Sequence, residues 1–178
     1  KTDNELNIMG SVTTDVIPNG VFTWTNFQII KKSNGNFVVF GRNRVFEIDY
    51  LSNNILWSQY FGANPLQLFN NNDTLIVSFT GGGSITINDQ EVGLGTNVNL
   101  IRIDKNGNFI DHKDTGIEEK TGKFAMDQNG NLYYTIQENI SVNNNKNRLA
   151  KITWNSLDAF YLMEYPSSHA TSSITVYD

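Results

Sequence analysis

The sequence has no cysteine, only three prolines and only four arginines among its 178 residues. Without cysteine there are no disulfides, thiolate zinc ligands or cysteine nucleophiles. Charged residues make up 17% and the net charge is -5, which argues against the clustered Lys and Arg of a nucleic-acid surface. No run of 18 apolar residues exists, so the sequence predicts no membrane span.

The composition that remains is that of a globular domain with many turns. Hydrophobic residues make up 39% and aromatic residues 12%, which is too apolar for a disordered chain. The 26 asparagines often fall in Asn-Gly, Asn-Asn and Asn-Asp pairs, and such pairs favour tight turns. Because no long segment has a helical period, we predict one all-β domain over residues 1–178.

Three stretches of the chain repeat one pattern, anchored on Ile48, Ile103 and Ile152. Each has an alternating strand that ends at the isoleucine, a polar turn and a second strand. A further hairpin precedes each of them, in FQIIKKSNGNFVVF, LQLFNNNDTLIVSF and KFAMDQNGNLYYTI. Every unit is therefore predicted to be four antiparallel strands joined in order, here called a to d. The anchors are 55 and 49 residues apart, close to the roughly 40 to 50 residues of a β-propeller blade.

These units predict three whole β-propeller blades, at about residues 27–62, 65–116 and 123–165. The flanking segments 18–26 and 172–178 match parts of further blades. The two parts either complete a fourth blade or belong to a longer propeller that other domains or chains complete. We favour a piece of a larger propeller, because an incomplete fourth blade leaves an unprotected edge strand.

The repeats also carry a family resemblance. The segment GSITINDQEVGLGTNVNLIRIDKNGNFIDHKDTG resembles the bacterial β-propeller repeats of secreted and cell-surface proteins, and RVFEIDYLSNNILW resembles the quinoprotein-like repeat, whose closing strand ends in Trp. At the positions of the other two repeats that correspond to Trp57, the chain has Asp111 and Tyr161 instead of tryptophan. The ring of docked tryptophans is therefore irregular. No residue matches a quinone-binding motif. The resemblance implies a secreted or surface-displayed bacterial propeller and no cofactor.

Chemistry-bearing residues are few, and we assign no catalytic residue and no metal ligand. The turns that begin at Asp104 and Asp127 alternate oxygens as a calcium loop does, but Asn-Gly hairpin chemistry already explains them. His112 and His169 have no paired metal spacing. The acidic residues Glu118, Glu119 and Glu138 are glycosidase candidates only because they are carboxylates.

Loop length separates the two ends of the predicted blades. The a–b and c–d turns are short, whereas the b–c connections vary and include a long insertion at residues 80–97. Variable loops on a rigid scaffold are where binding usually occurs. The candidate ligand-binding residues on that face are Arg42, Arg44, Asp89, Gln90, Glu91, Glu138, Asn143, Asn144 and Lys146.

The favoured function is a non-enzymatic binding or scaffold propeller that contacts protein or glycan at a cell surface. A glycoside hydrolase or lyase-type enzyme and a spacer module of a long adhesin are the alternatives. Two expectations concern stability. Replacing residues 84–92 by a short link should leave the melting temperature almost intact, and Trp57→Ala should cost more than Trp154→Ala, since Trp154 lies in a turn.

Overall fold

The chain is all-β over the residues that the structure, a computed structural model, describes: 27–41, 44–61, 65–79, 81–118, 123–141 and 144–166. These residues contain fourteen strands and no helix. Twelve of the strands form three four-stranded antiparallel sheets, and two form a separate hairpin. The prediction of an all-β chain with four-stranded antiparallel sheets is therefore confirmed.

Each of the three large sheets is built from strands in the order a, b, c, d. Sheet A contains β1 (Phe27–Lys31), β2 (Phe37–Gly41), β3 (Arg44–Ile48) and β4 (Ile55–Tyr60). In the next part of the chain, β5 (Pro65–Asn71) and β6 (Thr74–Phe79) precede the hairpin of β7 (Gly83–Ile87) and β8 (Gln90–Leu94), and β9 (Asn97–Ile103) and β10 (Phe109–Glu118) follow it. Sheet B is β5, β6, β9 and β10. Sheet C contains β11 (Lys123–Met126), β12 (Leu132–Ser141), β13 (Asn144–Ile152) and β14 (Ala159–Pro166).

Tight turns join neighbouring strands because their residues accept left-handed backbone conformations. Gly107 has φ +85°, in the region that favours glycine. In the same turn the Asp104 Oδ1 accepts hydrogen bonds from the backbone N–H groups of Asn106 and Asn108, both at 2.8 Å. This Asx geometry repeats at Asp127, whose Oδ1 accepts from the Asn131 N–H at 2.7 Å.

Sheet B lies between sheets A and C, and both of its faces are buried. Along β6, Leu75 and Val77 pack with side chains of sheet A, while Ile76 between them packs with side chains of sheet C. Successive side chains on a strand point to opposite faces, so the buried run Leu75–Phe79 reads as almost continuously apolar. The three sheets therefore form one face-to-face stack.

Equivalent strands of neighbouring sheets lie side by side in this stack. Strand β1 lies beside β5, and β10 lies beside β14. At the first of these contacts the Leu68 N–H donates to the Gln28 side-chain oxygen at 2.7 Å. At the second, the Lys113 ammonium is 2.8 Å from Asp158, in the turn before β14. First strands thus adjoin between sheets A and B, and last strands adjoin between sheets B and C.

The insertion between β6 and β9 is part of the core, contrary to the expectation of a surface loop. Residues Ile85, Ile87, Val92 and Leu94 of the β7–β8 hairpin are buried and belong to the core cluster between sheets A and B. Burying a side chain of this size stabilises the fold by about 1.5–3 kcal/mol. Replacing residues 84–92 by a short link would therefore remove core, so we expect the melting temperature to fall instead of staying almost intact.

The two described tryptophans also differ from expectation in their burial. Trp154 lies in the β13–β14 turn, as predicted, but it is only 9% exposed and belongs to the core cluster between sheets B and C. Trp57 on β4 is partly buried against the core between sheets A and B. Burial therefore gives no reason to expect a smaller cost for Trp154→Ala.

Candidate functional site

The predicted binding residues are distributed over several parts of the fold. Arg44 opens β3, where its Nη1 donates to the Ser58 Oγ at 3.0 Å and its guanidinium lies 5.5 Å from the centroid of the Tyr60 ring. Arg42 and Asn143 lie outside the described residues.

Three more of the predicted residues lie near the connection of β12 to β13. Glu138 pairs with Lys146 across the two strands, and Asn144 pairs with Ser141. The structure thus brings Glu138, Asn144 and Lys146 together at one sheet end through their backbones.

Asp89, Gln90 and Glu91 form the exposed tip of the β7–β8 hairpin. The neighbouring Asn88 accepts a hydrogen bond at its Oδ1 from the Phe109 N–H at 3.0 Å. Phe109 directly follows the β9–β10 turn, so the tip reaches the turn end of sheet B. Arg44 lies at the end of sheet A opposite its β1–β2 and β3–β4 turns, next to the β2–β3 connection.

A cleft of about 360 Å³ lies at the turn end of the contact between sheets A and B. Its floor is an ion pair between Lys32, in the β1–β2 turn, and Glu47 on β3, with 2.8 Å between the Lys32 Nζ and the Glu47 Oε2. Lys32 is 5% and Glu47 2% exposed. The Lys32 Nζ also donates to the backbone oxygen of Lys105 in sheet B at 3.0 Å. One ammonium therefore joins the two sheets.

Two further donors hold the Glu47 carboxylate. The Asn36 amide donates to its Oε1 and the Trp57 indole N–H to its Oε2, both at 2.8 Å. Burial alone raises the pKa of Glu47, but the hydrogen bonds from Lys32, Asn36 and Trp57 outweigh it and lower that pKa below the ordinary value of 4.5. Glu47 is therefore ionised at neutral pH.

The walls of the cleft are polar with one apolar side. Asn34 and Leu56 line it from sheet A, and Lys105 and Asn106 line it from the β9–β10 turn of sheet B. Leu56 is the extra residue of a β-bulge, since Glu47 pairs with Trp57 and Ile48 pairs with Ile55. The bulge leaves Leu56 52% exposed beside the indole of Trp57.

Glycine at position 107 allows the indole to pack on the turn. A Cβ on Gly107 would lie 2.6 Å from the ring of Trp57, which is closer than real Cβ atoms approach. The β9–β10 turn thus contacts sheet A in two places, at the Trp57 ring through Gly107 and at the Lys32 ammonium through the Lys105 carbonyl. Both contacts fix the position of sheet B against sheet A.

The acid–base chemistry of the cleft rests on one carboxylate. Glu47 is the only carboxylate among the described residues that line it, whereas glycosidases ordinarily use a pair. Because three donors occupy its oxygens and its pKa is lowered, Glu47 holds no proton to donate at neutral pH.

The Asp-x-Asn-Gly-Asn turns use their carboxylates internally. Asp104 accepts from Asn106 and Asn108 through Oδ1 and from the Asn108 amide through Oδ2, at 2.8, 2.8 and 3.0 Å. Within the described part of the chain, no three His, Asp or Glu residues are grouped as metal ligands. The structure therefore favours turn chemistry over calcium binding at these positions.

His112 is a structural residue of sheet B. Its Nε2 lies 2.9 Å from the Oδ1 of the buried Asn99, and burial lowers the pKa of its imidazole. Asn99 also bonds the backbone of Gly95 through its amide oxygen and nitrogen. His112 thus supports the segment between β8 and β9.

No known protein family, curated protein or solved structure matches this chain. In the ranges that the structure describes there is also no helix long and apolar enough to cross a membrane.

The cleft was not predicted from the sequence. Its ion pair joins residues 15 positions apart, and the Lys105 carbonyl is 73 positions from Lys32. One signal for it exists in β3, where Glu47 alternates with Val45 and so falls on the buried face of an apolar strand. A charged residue at such a position requires a partner.

Proposed function

We propose that this chain is a non-enzymatic binding scaffold made of β-propeller blades, in a secreted or surface-displayed bacterial protein that contacts protein or glycan. The observation that carries the proposal is a contact that recurs at both interfaces of the sheet stack. Sheets A, B and C are the proposed blades.

At each interface, a cation of one sheet donates to the same backbone position of the next sheet. The Lys32 Nζ donates to the Lys105 oxygen, and the Arg102 Nη1 donates to the Trp154 oxygen at 2.9 Å. Lys105 and Trp154 each stand two residues after the last isoleucine of the third strand of their sheet. Arg102 is itself held by both oxygens of Asp111.

Sheet C carries a cation at the position equivalent to Arg102, on the face that points away from sheet B. Lys151 precedes Ile152 as Arg102 precedes Ile103, and it lies between Ala150 and Ile152, which are buried against sheet B. Alternation therefore turns Lys151 to the outer face, where its Nζ lies 5.8 Å from the Tyr133 ring centroid.

The outer face of sheet C supports a stack that continues. Phe160, paired with Lys151 across β13 and β14, is exposed, and so is Met163. Exposed apolar area next to a cation suits a further four-stranded sheet with a turn carbonyl at the repeated position. Such a sheet, from the same chain or from another, is the next blade of the proposed propeller.

Binding is proposed at the ends of the strands. Arg44 and the pair of Glu138 and Lys146 lie at the connections between second and third strands, which are two residues long in sheets A and C and long in sheet B. Asp89, Gln90 and Glu91 are exposed at the hairpin tip. Loops and turns on a rigid stack of sheets present side chains without disturbing the core.

A glycan array probed with the labelled chain, together with a mass-spectrometric record of every retained glycan, tests the proposal. We expect saturable binding of particular glycans, or of a purified surface protein, with each retained glycan recovered at unchanged mass. Cleaved glycans would establish an enzyme instead. If no glycan and no surface protein is retained, the chain is a spacer and the binding function is refuted.

A further inference from the structure

We propose that the cleft between sheets A and B binds a carboxylated sugar unit, such as a uronate residue of a glycan. This inference rests on the proposed glycan-binding function and assigns the ligand class and the residues. The cleft lies at the turn end of the strands, whereas the predicted binding residues Arg44, Glu138 and Lys146 lie at the opposite end.

The buried ammonium of Lys32 has one donor to spare. An ammonium carries three N–H donors, and Lys32 gives one to the Glu47 Oε2 and one to the Lys105 oxygen. The third has no acceptor among the described residues. Because Lys32 lines the cleft and is almost fully buried, a ligand oxygen is the acceptor that would complete it.

The net charge of the cleft suits a ligand with a single negative charge. Its lining includes two ammonium groups, Lys32 and Lys105, and one carboxylate, Glu47. Asp73 lies near these two ammonium groups. Hydrogen bonds from Ser33, and then the charges of Lys32 and Lys105, lower the pKa of its carboxyl. Its carboxylate limits the positive potential at the rim. A carboxylate ligand therefore fits better than a multiply charged phosphate.

The remaining walls offer what a sugar ring needs. Asn34 uses its Oδ1 to accept the Asn36 N–H at 3.0 Å, which leaves its amide N–H groups for hydroxyl oxygens. Asn106 adds a second side-chain amide. Trp57 and the exposed Leu56 give one apolar wall for the C–H face of the ring. A volume of about 360 Å³ lies at the small end of ligand pockets.

Titration of the ¹⁵N-labelled chain with methyl β-glucuronide, and separately with methyl β-glucoside, tests the inference. The Trp57 indole N–H is the reporter, assigned by the loss of its signal in Trp57→Phe. We expect the glucuronide to shift this signal saturably and the glucoside to bind at least tenfold more weakly. Lys105→Gln should weaken glucuronide binding by roughly tenfold, the worth of one charged hydrogen bond. Lys123→Gln, which removes an exposed ammonium on β11, is the matched control and should have no effect.

Three results would overturn the inference. One is equal affinity for the glucuronide and the glucoside. The second is a glucuronide affinity that Lys105→Gln and Lys123→Gln leave equally unchanged. The third is a Trp57 signal that neither sugar moves. If the glycan array is positive while the Trp57 signal stays fixed, glycan binding occurs elsewhere, so the proposed function stands and the assignment of this cleft fails.

Discussion

The substitution Glu47→Gln tests the buried ion pair that joins sheets A and B. It preserves the shape of the side chain but replaces one carboxylate oxygen by an amide that donates. Lys32, Asn36 and Trp57 all donate to this group at 2.8 Å. At least one of these donors would then face another donor, and the Lys32 ammonium would remain buried without a counter-charge.

The expected cost is about 3 kcal/mol of unfolding free energy, since removing one partner of a buried pair costs roughly 3–5 kcal/mol. Lys113→Gln is the matched control, because its pair with Asp158 has the same 2.8 Å separation but side chains that are 43% and 47% exposed. Breaking such a surface pair costs about 0–1 kcal/mol. The double variant Lys32→Met/Glu47→Gln should be more stable than Glu47→Gln alone, because it removes the uncompensated charge.

Urea unfolding followed by tryptophan fluorescence measures these differences, and pH adds a second criterion. The folded pKa of Glu47 lies below 4.5, so its stabilisation is present above that pH and is lost as pH falls through the folded pKa. The gap between wild type and Glu47→Gln should therefore narrow in acid. A cost no larger than that of Lys113→Gln, or a gap that does not change with pH, would refute the reasoning.

Three more outcomes follow from the packing. Gly107→Ala should destabilise the fold more than Gly35→Ala. Both glycines have positive φ, for which we expect a cost of about 1–2 kcal/mol, but only a Cβ at 107 meets Trp57, at 2.6 Å. Equal melting temperatures of the two variants would contradict this contact. Trp154→Ala should cost about 3–5 kcal/mol, at least as much as Trp57→Ala, and denaturant midpoints in the reverse order would argue against the observed burial. Replacing residues 84–92 by a Gly-Ser link should lower the melting temperature sharply, as measured by calorimetry. An unchanged melting temperature would show that the hairpin contributes little to the core.

The strands and turns were predictable because their signals are local. Alternating apolar residues end at Ile48, Ile103 and Ile152, and short asparagine-containing turns separate the paired strands, so each hairpin follows from a few neighbouring residues. Short connections then pair the strands of each sheet in chain order, except between β6 and β9, where the β7–β8 hairpin intervenes. The sequence therefore predicted the all-β class and the four-stranded antiparallel sheets.

The role of the insertion was missed although the sequence contained a signal for it. Ile85 and Ile87 alternate in β7, and Val92 and Leu94 alternate in β8, which is the period of a half-buried hairpin. The three glycines at 81–83, by contrast, favour a flexible connection. The sequence signal for the cleft is limited to the charged Glu47 on the buried face of β3, because the other lining residues meet only when two sheets stack.

The stack itself explains why charged residues occupy an otherwise apolar interface. Apolar contacts such as those of Val38 and Leu75 attract two sheets without strongly selecting one offset between them, because the hydrophobic effect has no direction. A cation that must reach one backbone oxygen does select an offset. Lys32 on the Lys105 carbonyl and Arg102 on the Trp154 carbonyl both do this at the last turn of the following sheet. Buried polar groups of this kind contribute to specificity in some proteins more than to stability. In this chain both contacts end on the same backbone position of the following sheet, and the Lys32 contact between sheets A and B lies at the floor of the cleft.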